Sequence, residues 1–547
     1  MSPRAKSHEH GAAHYRPAVH DEPWAPFATR YAPTAMVCSV DHLASEAGVA
    51  ALRAGGSAAD AAVATSAVLA VTSQHLCGMG GDLFALVHTG TAPPAVLNAS
   101  GRAGSGADPD RARAEGLTSL PLEGDIRSVP VPGCVDGWVA LHDRFGRLPL
   151  ADVLEPAARY AEHGFPAGPT LLGLLPAVAH LPGADDYASP APRRAGDLVR
   201  RPGLARALRA IGAGGRAAWY EGEFGDDLLR LGAGEYVPAD LARPQADWVE
   251  PLGLRAWGVD LWTVPPNSQG YLTLASARMA EGLGLPADPA DPEWAHLLVE
   301  ASRQAGSDRL AVLHERADGP SLIADGRLDP RRARISGRRA ALAAEPPALA
   351  GDTIHLAVVD GERMAVSLIQ SNASGWGCHL VTPGARVFLH DRGIGFSLEP
   401  GHPAEYRPGR RPPSTLSPAL LTGSDGRLAG VLGTMGGDSQ PQILLQLLAR
   451  LLVAGQEPGE AVASGRWVLE AGLSGFATWA PATAAGVLVE GNAPSGWDEG
   501  LTARGHPVRR RAPFGHQFGH AHVILAEGDR LAGASDPRPR SGSASGY

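Results

Sequence analysis

Cysteine, lysine and long apolar runs are scarce in this chain of 547 residues. The four cysteines lie far apart and form no C-x-x-C pair, which argues against a disulfide framework and against a structural zinc site. We expect isolated cysteines in the core or in a pocket. Lys6 is the only lysine, so arginine carries nearly all of the positive charge.

No segment offers about 18 uninterrupted apolar residues, the length that a membrane-spanning helix needs. The amino terminus has polar residues where a signal peptide needs an apolar run. We therefore expect a cytoplasmic protein that does not bind membranes. The net charge of −9 is mild and the basic residues are scattered, which argues against nucleic acid as a partner.

The composition that remains is globular, with 44% hydrophobic and 19% charged residues. The length allows two or more ordinary domains or one large α/β unit. Residues 1–33, rich in His, Pro and charge, are typical of a loose leader, and order is expected to start near Met36.

Helical patterns dominate the first part of the chain. We predict a long Ala-rich helix from about Ser57 to Val71, a glycine-rich turn over 76–82 and a strand, LFALVH. The order helix, glycines, strand does not fit a dinucleotide-binding fingerprint, which needs strand, G-x-G-x-x-G and helix. Residues 129–165 predict two amphipathic helices, and the Pro/Ala/Gly-rich stretch that ends at Asp352 is typical of an exposed linker.

After Asp352 the pattern changes to short strands joined by Gly and Asp turns, as expected of an antiparallel sheet. The predicted strands are IHLAVVD, MAVSLIQS, RVFLH, PALLT and LAGVLGT, and a long apolar helix, PQILLQLLARLLVAG, follows them. The helix-rich and strand-rich parts together predict one layered α/β unit.

The first two of these strands predict a hairpin that brings hydroxyl groups together at its open end. A two-residue loop at Gly361 and Glu362 pairs Thr353 with Gln370, whereas a three-residue loop pairs Thr353 with Ser371. In either register the Thr353 and Ser371 hydroxyls converge.

A threonine hydroxyl inside a chain is a poor nucleophile unless a base lies beside it. Scission of the bond between Asp352 and Thr353 would supply that base, because a free α-amino group titrates near pH 7.7–8.0. On spacing alone, the alternative that Thr353 simply opens a strand stays open.

The stretch LAGVLGTMGGDSQPQILLQLL predicts a strand, a tight glycine turn and a helix. The amides of Gly436 and Gly437 would then point outward at a helix amino terminus, where they can bind an anion. Such paired amides can stabilise the oxyanion of acyl transfer. Phosphate is the rival ligand, but the G-K-[ST] ending of a P-loop is missing.

Ordered motifs along residues 34–547 resemble those of the γ-glutamyltransferases, amino-terminal-nucleophile hydrolases made as self-cleaving precursors. The motifs are LASEAGVAALRAGGSAADAAVAT, GMGGDLFALV, VPVPGCVDGW, FGRLPLADVLEPAARYAEHGFP, DTIHLAVVD, AVSLIQS, RPPSTLSPALL, GTMGGDSQPQ and GASDPRP. The resemblance implies a four-layer αββα sandwich. It also implies self-cleavage between Asp352 and Thr353 into a large part, residues 34–352, and a small part, residues 353–547, that together form one unit.

The resemblance further implies that Thr353 attacks an amide carbonyl, that its α-amino group moves the proton, and that Gly436 and Gly437 bind the oxyanion. Other positions carry over as support of the nucleophile or as substrate contacts. These are Ser371 beside the nucleophile, and Arg102, Gln370, Asn372, Ser414 and Thr415 as substrate contacts. The implied partners are a small acyl donor, a water or amine acceptor, and a second processed unit in a homodimer. No metal and no cofactor are implied.

Two positions depart from the pattern of the γ-glutamyl enzymes. Ser100 stands at the place of the arginine that holds the substrate's α-carboxylate, with Arg102 two residues on, and Gly395 stands at the place of the aspartate that holds the α-amino group. Losing that aspartate removes a charge-assisted hydrogen bond worth roughly 1.5–3 kcal/mol. We therefore expect weak turnover of γ-glutamyl-p-nitroanilide and a gain from Gly395→Asp. The segment from Ser397 to Arg411 is short for a lid, which predicts an open site.

The sequence is most similar to the acylase-like branch of this family, and other acyl groups therefore stay open. The alternatives are hydrolysis of a dicarboxylic monoamide, hydrolysis of an oxamate-like amide, and hydrolysis of a carbon–carbon bond next to a carbonyl in an antibiotic pathway. The alternative from another class is an uncleaved, non-catalytic binding or assembly protein.

Three closely spaced histidines, His516, His520 and His522, raise the possibility of a metal site. No carboxylate or cysteine pattern completes such a site, so structural or pocket-lining roles are expected. Asp82 and Asn267 could line a cleft, but solvated turns are the expected places for both.

Overall fold

The computed structural model describes residues 29–91, 93–188, 190–340, 353–470, 478–479 and 486–547. Its strands are β1 (Arg30–Ala32), β2 (Met36–Ser39), β3 (Asp82–His88), β4 (Ala95–Ala99), β5 (Phe165–Pro166), β6 (Leu198–Val199), β7 (Asp247–Val249), β8 (Leu252–Ala256), β9 (Val259–Thr263), β10 (Ile354–Val359), β11 (Ala365–Ser371), β12 (Ala419–Thr422), β13 (Leu428–Thr434), β14 (Trp467–Leu469), β15 (Val487–Val489), β16 (Val508–Arg510), β17 (Ala521–Glu527), β18 (Arg530–Ser535) and β19 (Ser543–Gly546).

Helices surround these strands. They are α1 (His42–Arg53), α2 (Ala58–Thr72), α3 (Pro109–Ala114), α4 (Cys134–Phe145), α5 (Leu150–His163), α6 (Pro169–Leu174), α7 (Asp185–Ala188), α8 (Pro202–Tyr220), α9 (Glu223–Leu231), α10 (Pro238–Ala242), α11 (Tyr271–Glu281), α12 (Pro292–Gly306), α13 (Arg309–Val312), α14 (Gly319–Leu322), α15 (Asp325–Arg332), α16 (Gln440–Leu452), α17 (Pro458–Ala463) and α18 (Gly496–Ala503).

Two seven-stranded sheets form the centre of the molecule. The first has the order β1-β18-β17-β13-β12-β9-β8 and the second the order β19-β2-β10-β11-β3-β4-β7. Neighbouring strands in both are antiparallel. Because side chains alternate along a strand, one face of each sheet turns toward the other sheet. Apolar residues of these facing sides form a buried core between the sheets, which includes Ala357, Val359 and Ile369 from the second sheet and Leu420, Val431 and Ile524 from the first.

A helical layer covers the outer face of each sheet. Helix α2 packs on β10 and β11, and α1, α4 and α5 pack against α2, whereas α11 and α16 pack on the first sheet. Every residue of α2 is buried. A capping box starts that helix, because the Ser57 hydroxyl accepts from the Asp60 amide and the Asp60 carboxylate accepts from the Ser57 amide. The predicted αββα sandwich is thereby confirmed.

Both sheets draw strands from before and after residue 353. In the second sheet, β2, β3, β4 and β7 come before it, and β10, β11 and β19 come after it. The strand β10 lies in the interior of the sheet, between β2 and β11. The residues assigned to the large and small parts thus share one fold.

Several local predictions can be compared directly with these elements. The helix predicted from Ser57 to Val71 is α2, and all four cysteines are buried. The segment RVFLH is not a strand; it makes two isolated bridges, Phe388 with Val381 and Leu389 with Gly80, and Arg386 turns the chain before them with a φ of 56°. Order starts earlier than predicted, since β1 pairs with β18.

Residues 1–28 of the leader and Asp352 lie outside the described residues. Among the helices that the structure describes, none has the length and apolar character needed to cross a membrane.

Candidate active site

The hairpin of β10 and β11 places Thr353 beside Ser371. Ile354 pairs with Gln370, and the Asp360 amide donates to the Met364 carbonyl, so the connection is the three-residue loop. Thr353 Oγ1 lies 3.0 Å from Ser371 Oγ, and both residues are buried. The two hydroxyls therefore meet at the open end of the β10–β11 hairpin, on the face of the second sheet that is turned toward the first sheet.

The Ser371 hydroxyl is held from the following turn. Its Oγ accepts a hydrogen bond of 2.8 Å from the amide of Ala373, which has a positive φ of 71°. On the other side Ser371 pairs with Asp82 of β3. Gly81 allows this close approach, because a Cβ there would lie 2.2 Å from the Ser371 carbonyl oxygen. This fixed hydroxyl can orient the Thr353 side chain.

The glycine turn after β13 leads directly into a helix. Gly436 and Gly437 have φ values of 138° and 54°, which side chains rarely adopt, and a 3₁₀ turn, Gly437–Ser439, then joins α16. The Ser439 hydroxyl donates to the Gly436 carbonyl at 2.7 Å and fixes the turn. In the turns and caps of the described chain, neither Gly436 nor Gly437 donates a backbone hydrogen bond through its amide. Both amides lie at a helix amino terminus, where an oxyanion can bind.

Gln269 connects the glycine turn to the Ser414–Thr415 pair. Its Nε2 donates to the carbonyls of Gly437 and Thr415, both at 3.0 Å. The backbone amide of Gln269 donates to the Ser414 carbonyl at 2.9 Å. The sequence analysis missed Gln269; the only signal was its place in the PPNSQG turn after β9.

A cavity of about 630 Å³ opens beside Thr415. Two arginines, Arg309 and Arg392, line it, and we call them the inner arginine pair. Arg392 donates from Nε to Asp82 Oδ2 and from Nη1 to Thr415 Oγ1, both at 3.1 Å. Because Asp82 pairs with Ser371 in the sheet, Arg392 links the cavity to the nucleophile's neighbour.

The second member of the inner arginine pair joins the cavity to the glycine turn. Arg309 Nε donates to Gln269 Oε1 at 2.9 Å, and its Nη2 lies 3.4 Å from Asp438 Oδ1. Burial raises the pKa of Asp438, whereas the Arg309 charge and a hydrogen bond from the Thr478 amide act in the opposite direction. Arg309 therefore links the cavity to the glycine turn through Gln269 and Asp438.

Arg102 lies elsewhere. Together with Arg411 it forms an outer arginine pair, which shares the carboxylates of Asp247 and Glu315. Arg102 Nη1 is 2.7 Å from Glu315 Oε1, and its Nη2 pairs with Asp247. Neither Arg102 nor Arg411 lines the cavity. The structure therefore does not bring Arg102 to the site that the sequence predicted for it.

Gln370 and Asn372 also make other contacts than predicted. Gln370 faces the helical layer, because side chains alternate along β11, and its amide bonds with Ser66 and Cys77. Asn372 Nδ2 donates to the Gln74 carbonyl at 3.0 Å. Both side chains are fully buried. They position the chain behind Ser371 instead of pointing into the cavity.

Three further predictions need correction. Asp82 and Asn267 are fully buried rather than part of solvated turns; Asn267 accepts from Asn98 at 2.9 Å. Gly395 lines the cavity, but a Cβ there would lie 2.5 Å from the Pro413 carbonyl oxygen. Gly395→Asp therefore requires the backbone to move and cannot simply restore an ammonium-binding carboxylate. Phe396, Ser397, Glu399 and residues 402–404 line one side of the cavity.

The three histidines near the carboxyl end divide between two places. His516 Nδ1 lies 2.8 Å from His520 Nε2, whereas His522 stacks on His355 between the sheets with ring centroids 6.1 Å apart. Burial lowers the pKa of His522 to about 4 and holds that of His355 well below its usual value. These rings are neutral packing groups beneath Thr353.

Comparison with known proteins agrees with this geometry. The family model described as Gamma-glutamyltranspeptidase matches residues 44–547. The glutathione hydrolase-like YwrD proenzyme of Bacillus subtilis is 34% identical over 92% of this chain and 97% of its own length. The oxamate amidohydrolase proenzyme of Klebsiella pneumoniae is 34% identical over 94% and 98%. The crystal structure of cephalosporin acylase from Bacillus halodurans superimposes with a TM-score of 0.87 at 32% identity, covering 97% and 99%.

Proposed function

The chain belongs to the gamma-glutamyltranspeptidase family, and we propose that it is an amide hydrolase that cuts its own chain before Thr353 and then uses Thr353 as nucleophile. The observation that carries this proposal is the 3.0 Å contact between the Thr353 and Ser371 hydroxyls, which are buried at the open end of the β10–β11 hairpin. Two relatives that match nearly the whole chain are named proenzymes, which supports the cleavage step.

The reaction follows from the groups around Thr353. After scission, its α-amino group accepts the proton of Oγ1 while Oγ1 bonds to the substrate carbonyl carbon. The amides of Gly436 and Gly437 stabilise the resulting oxyanion, and Ser371 holds Oγ1 in place. The carbon–nitrogen bond then breaks, the leaving amine takes the proton, and water or a second amine releases the acyl group from the ester.

We further propose that the acyl group carries a carboxylate. The inner arginine pair and Thr415 would bind it, since a charge-assisted hydrogen bond contributes roughly 1.5–3 kcal/mol. The names of the oxamate amidohydrolase and cephalosporin acylase relatives support a non-glutamyl amide. A γ-glutamyl group fits less well, because Gly395 provides no counter-charge for its ammonium.

The cleavage step is tested with purified wild type, Thr353→Ala and Thr422→Ala on a denaturing gel. Thr422 is a matched control, as it is a buried strand threonine of the other sheet. Wild type and Thr422→Ala should give two fragments, residues 1–352 and 353–547. Thr353→Ala should stay one intact band and hydrolyse no amide. Maturation and turnover in Thr353→Ala would rule the proposal out.

The acyl group is tested by comparing glutaryl-p-nitroanilide, oxamate and γ-glutamyl-p-nitroanilide as substrates. We expect kcat/KM to be higher for one of the first two. A preference for the γ-glutamyl substrate would reject the proposal of an acyl group that carries a carboxylate but no ammonium. It would leave the role of Thr353 as nucleophile unchanged.

A further inference from the structure

A second cluster of reactive side chains lies outside the candidate active site, under the helices of the first sheet. His296 and Glu300 belong to α12, and His506 follows α18. All three are buried, and one ligand atom from each lies within 4.8 Å of the other two. None of them lines the cavity beside Thr415.

The hydrogen bonds of His296 decide which of its nitrogens has a lone pair. Its Nε2 lies 2.6 Å from the Ser336 carbonyl oxygen, which can only accept, so Nε2 carries the hydrogen. In the neutral ring Nδ1 is then a bare acceptor, and it points at His506 Nε2, 2.7 Å away. A backbone carbonyl that orients an imidazole in this way is the usual outer support of a metal-binding histidine.

The backbone holds the three groups toward one point. His296 and Glu300 are four residues apart on α12 and therefore share a face of that helix. Gly505, with a φ of 92°, turns the chain after α18, and the His506 amide donates to the Leu501 carbonyl. The imidazole of His506 is thus fixed against α12 by a helix-ending turn.

We propose that His296, Glu300 and His506 bind one divalent cation of the Zn²⁺, Co²⁺ or Ni²⁺ type. Two imidazole nitrogens and one carboxylate oxygen are the donors that these ions prefer. Bonds of roughly 2.0–2.2 Å to a tetrahedral ion put its ligands roughly 3.3–3.6 Å apart. The two ring nitrogens, now 2.7 Å apart, need to separate by roughly 0.6–0.9 Å, and a Glu300 carboxylate oxygen needs to lie at the same spacing from both.

Arg303 is the competing partner in this cluster. Its Nη1 lies 3.9 Å from Glu300 Oε1, a distance at which the ion pair is loose. A cation between the imidazoles would take one carboxylate oxygen and leave the other beside Arg303.

The site would also join the two parts of the precursor. His296 and Glu300 precede residue 353 and His506 follows it, so the cation would cross-link separate chains after cleavage. This consequence rests on the proposed self-cleavage, whereas the site itself does not. Binding to uncleaved Thr353→Ala protein tests the site even if cleavage fails.

The experiment titrates ZnCl₂ into untagged, chelator-treated full-length protein by calorimetry. For wild type we expect one bound equivalent with Kd below about 10 μM. His506→Gln should bind at least about 100-fold more weakly, because replacing even an outer partner of a metal ligand costs about 10–100-fold in affinity. His516→Gln is the matched control, because His516 also contacts a second imidazole but belongs to no group of three possible metal ligands among the described residues. Its Zn²⁺ affinity should equal that of wild type.

Co²⁺ added to wild type provides a second measurement that needs no variant. Visible d–d bands typical of tetrahedral coordination should appear and saturate at one equivalent. If His506→Gln does not fold, Glu300→Gln takes its place. Absence of a stoichiometric site in wild type, or equal affinity in wild type and the ligand variants, would overturn the proposal.

Discussion

The inner and outer arginine pairs have the same composition, two guanidinium groups and two carboxylates, but different surroundings. The carboxylates of the inner pair, Asp82 and Asp438, are fully buried. Those of the outer pair are partly exposed, with side-chain exposures of 44% for Asp247 and 24% for Glu315.

The difference shows how an arginine becomes available to a ligand. Arg411 of the outer pair also donates to the carbonyls of Asn98 and Ser100, so this pair ties β4 to the chain before Ser414. Arg309 and Arg392 are held from behind by buried carboxylates and face a cavity in front. The sequence motif around Arg102 predicted an anchor for the substrate carboxylate. The comparison indicates instead that an arginine can bind a ligand when its own carboxylate partner is buried behind it and a cavity lies in front.

The largest expected effect is that of Arg392→Met. The change leaves the Asp82 carboxylate buried without its counter-charge, so the free energy of unfolding should fall by about 3–5 kcal/mol. Urea denaturation measures this loss. The double variant Arg392→Met/Asp82→Asn should recover most of the stability but keep a low kcat/KM for a carboxylate-bearing amide. Recovered activity in the double variant would show that Arg392 only holds the fold.

Asp391, next to the inner pair, should give the fold a measurable pH dependence. Burial raises its pKa to about 6, against the opposing effects of Ser374 and Arg392. The folded protein therefore favours the neutral form of Asp391. This contribution to the free energy of unfolding is fully present below about pH 4 and is lost as the pH rises through about 6, a difference of about 3 kcal/mol. Asp391→Asn removes this loss. Its stability gain over wild type should grow from pH 4 to 7 in urea titrations; a gain that is constant with pH would mean that the Ser374 hydrogen bonds and the Arg392 charge balance burial.

Arg309→Gln tests the ligand-binding role of the inner pair more directly. Losing one charge-assisted hydrogen bond of roughly 1.5–3 kcal/mol should raise KM for glutaryl-p-nitroanilide about 10–150-fold. The uncharged analogue butyryl-p-nitroanilide is the control and should keep its KM. An equal change for both substrates would place the effect in the fold and not in carboxylate binding.

The smallest expected effect is that of Arg102→Gln in the outer pair. Asp247 keeps Arg411 as a partner and is partly hydrated, so the loss of stability should be about 1 kcal/mol. Thermal melts should show this small change, and KM for the carboxylate-bearing substrate should stay as in wild type. A large rise in KM would make the outer pair, not the inner one, the substrate anchor.

Local patterns were sufficient for the parts of the site that lie on neighbouring elements. Thr353 and Ser371 are joined by one hairpin, so the sequence predicted that their hydroxyls converge with either a two-residue or a three-residue loop. The Gly436–Gly437 turn was visible because a strand and an apolar helix flank it. The same alternation rule also places Gln370 on the opposite face from Ser371, and applying it would have excluded Gln370.

Contacts between distant segments could not be predicted in this way. Asp82 and Arg392 are 310 positions apart, and they meet because the segment before Arg392 bonds to the chain near Asp82: the His390 amide donates to the Gly80 carbonyl. Arg309 reaches the cavity from a short helix that no periodic pattern indicates. RVFLH has the composition of a strand, but tertiary packing bends it into a loop. Such tertiary effects override local preference.

The interior position of β10 determines how the enzyme can recover from denaturation. Its neighbours in the sheet come from opposite sides of Thr353, so a cut molecule has no covalent tether between β2 and β10. Renaturation then requires two polypeptides to find each other, and translational entropy opposes it. The rate should increase with protein concentration for the cut enzyme and be independent of concentration for intact Thr353→Ala.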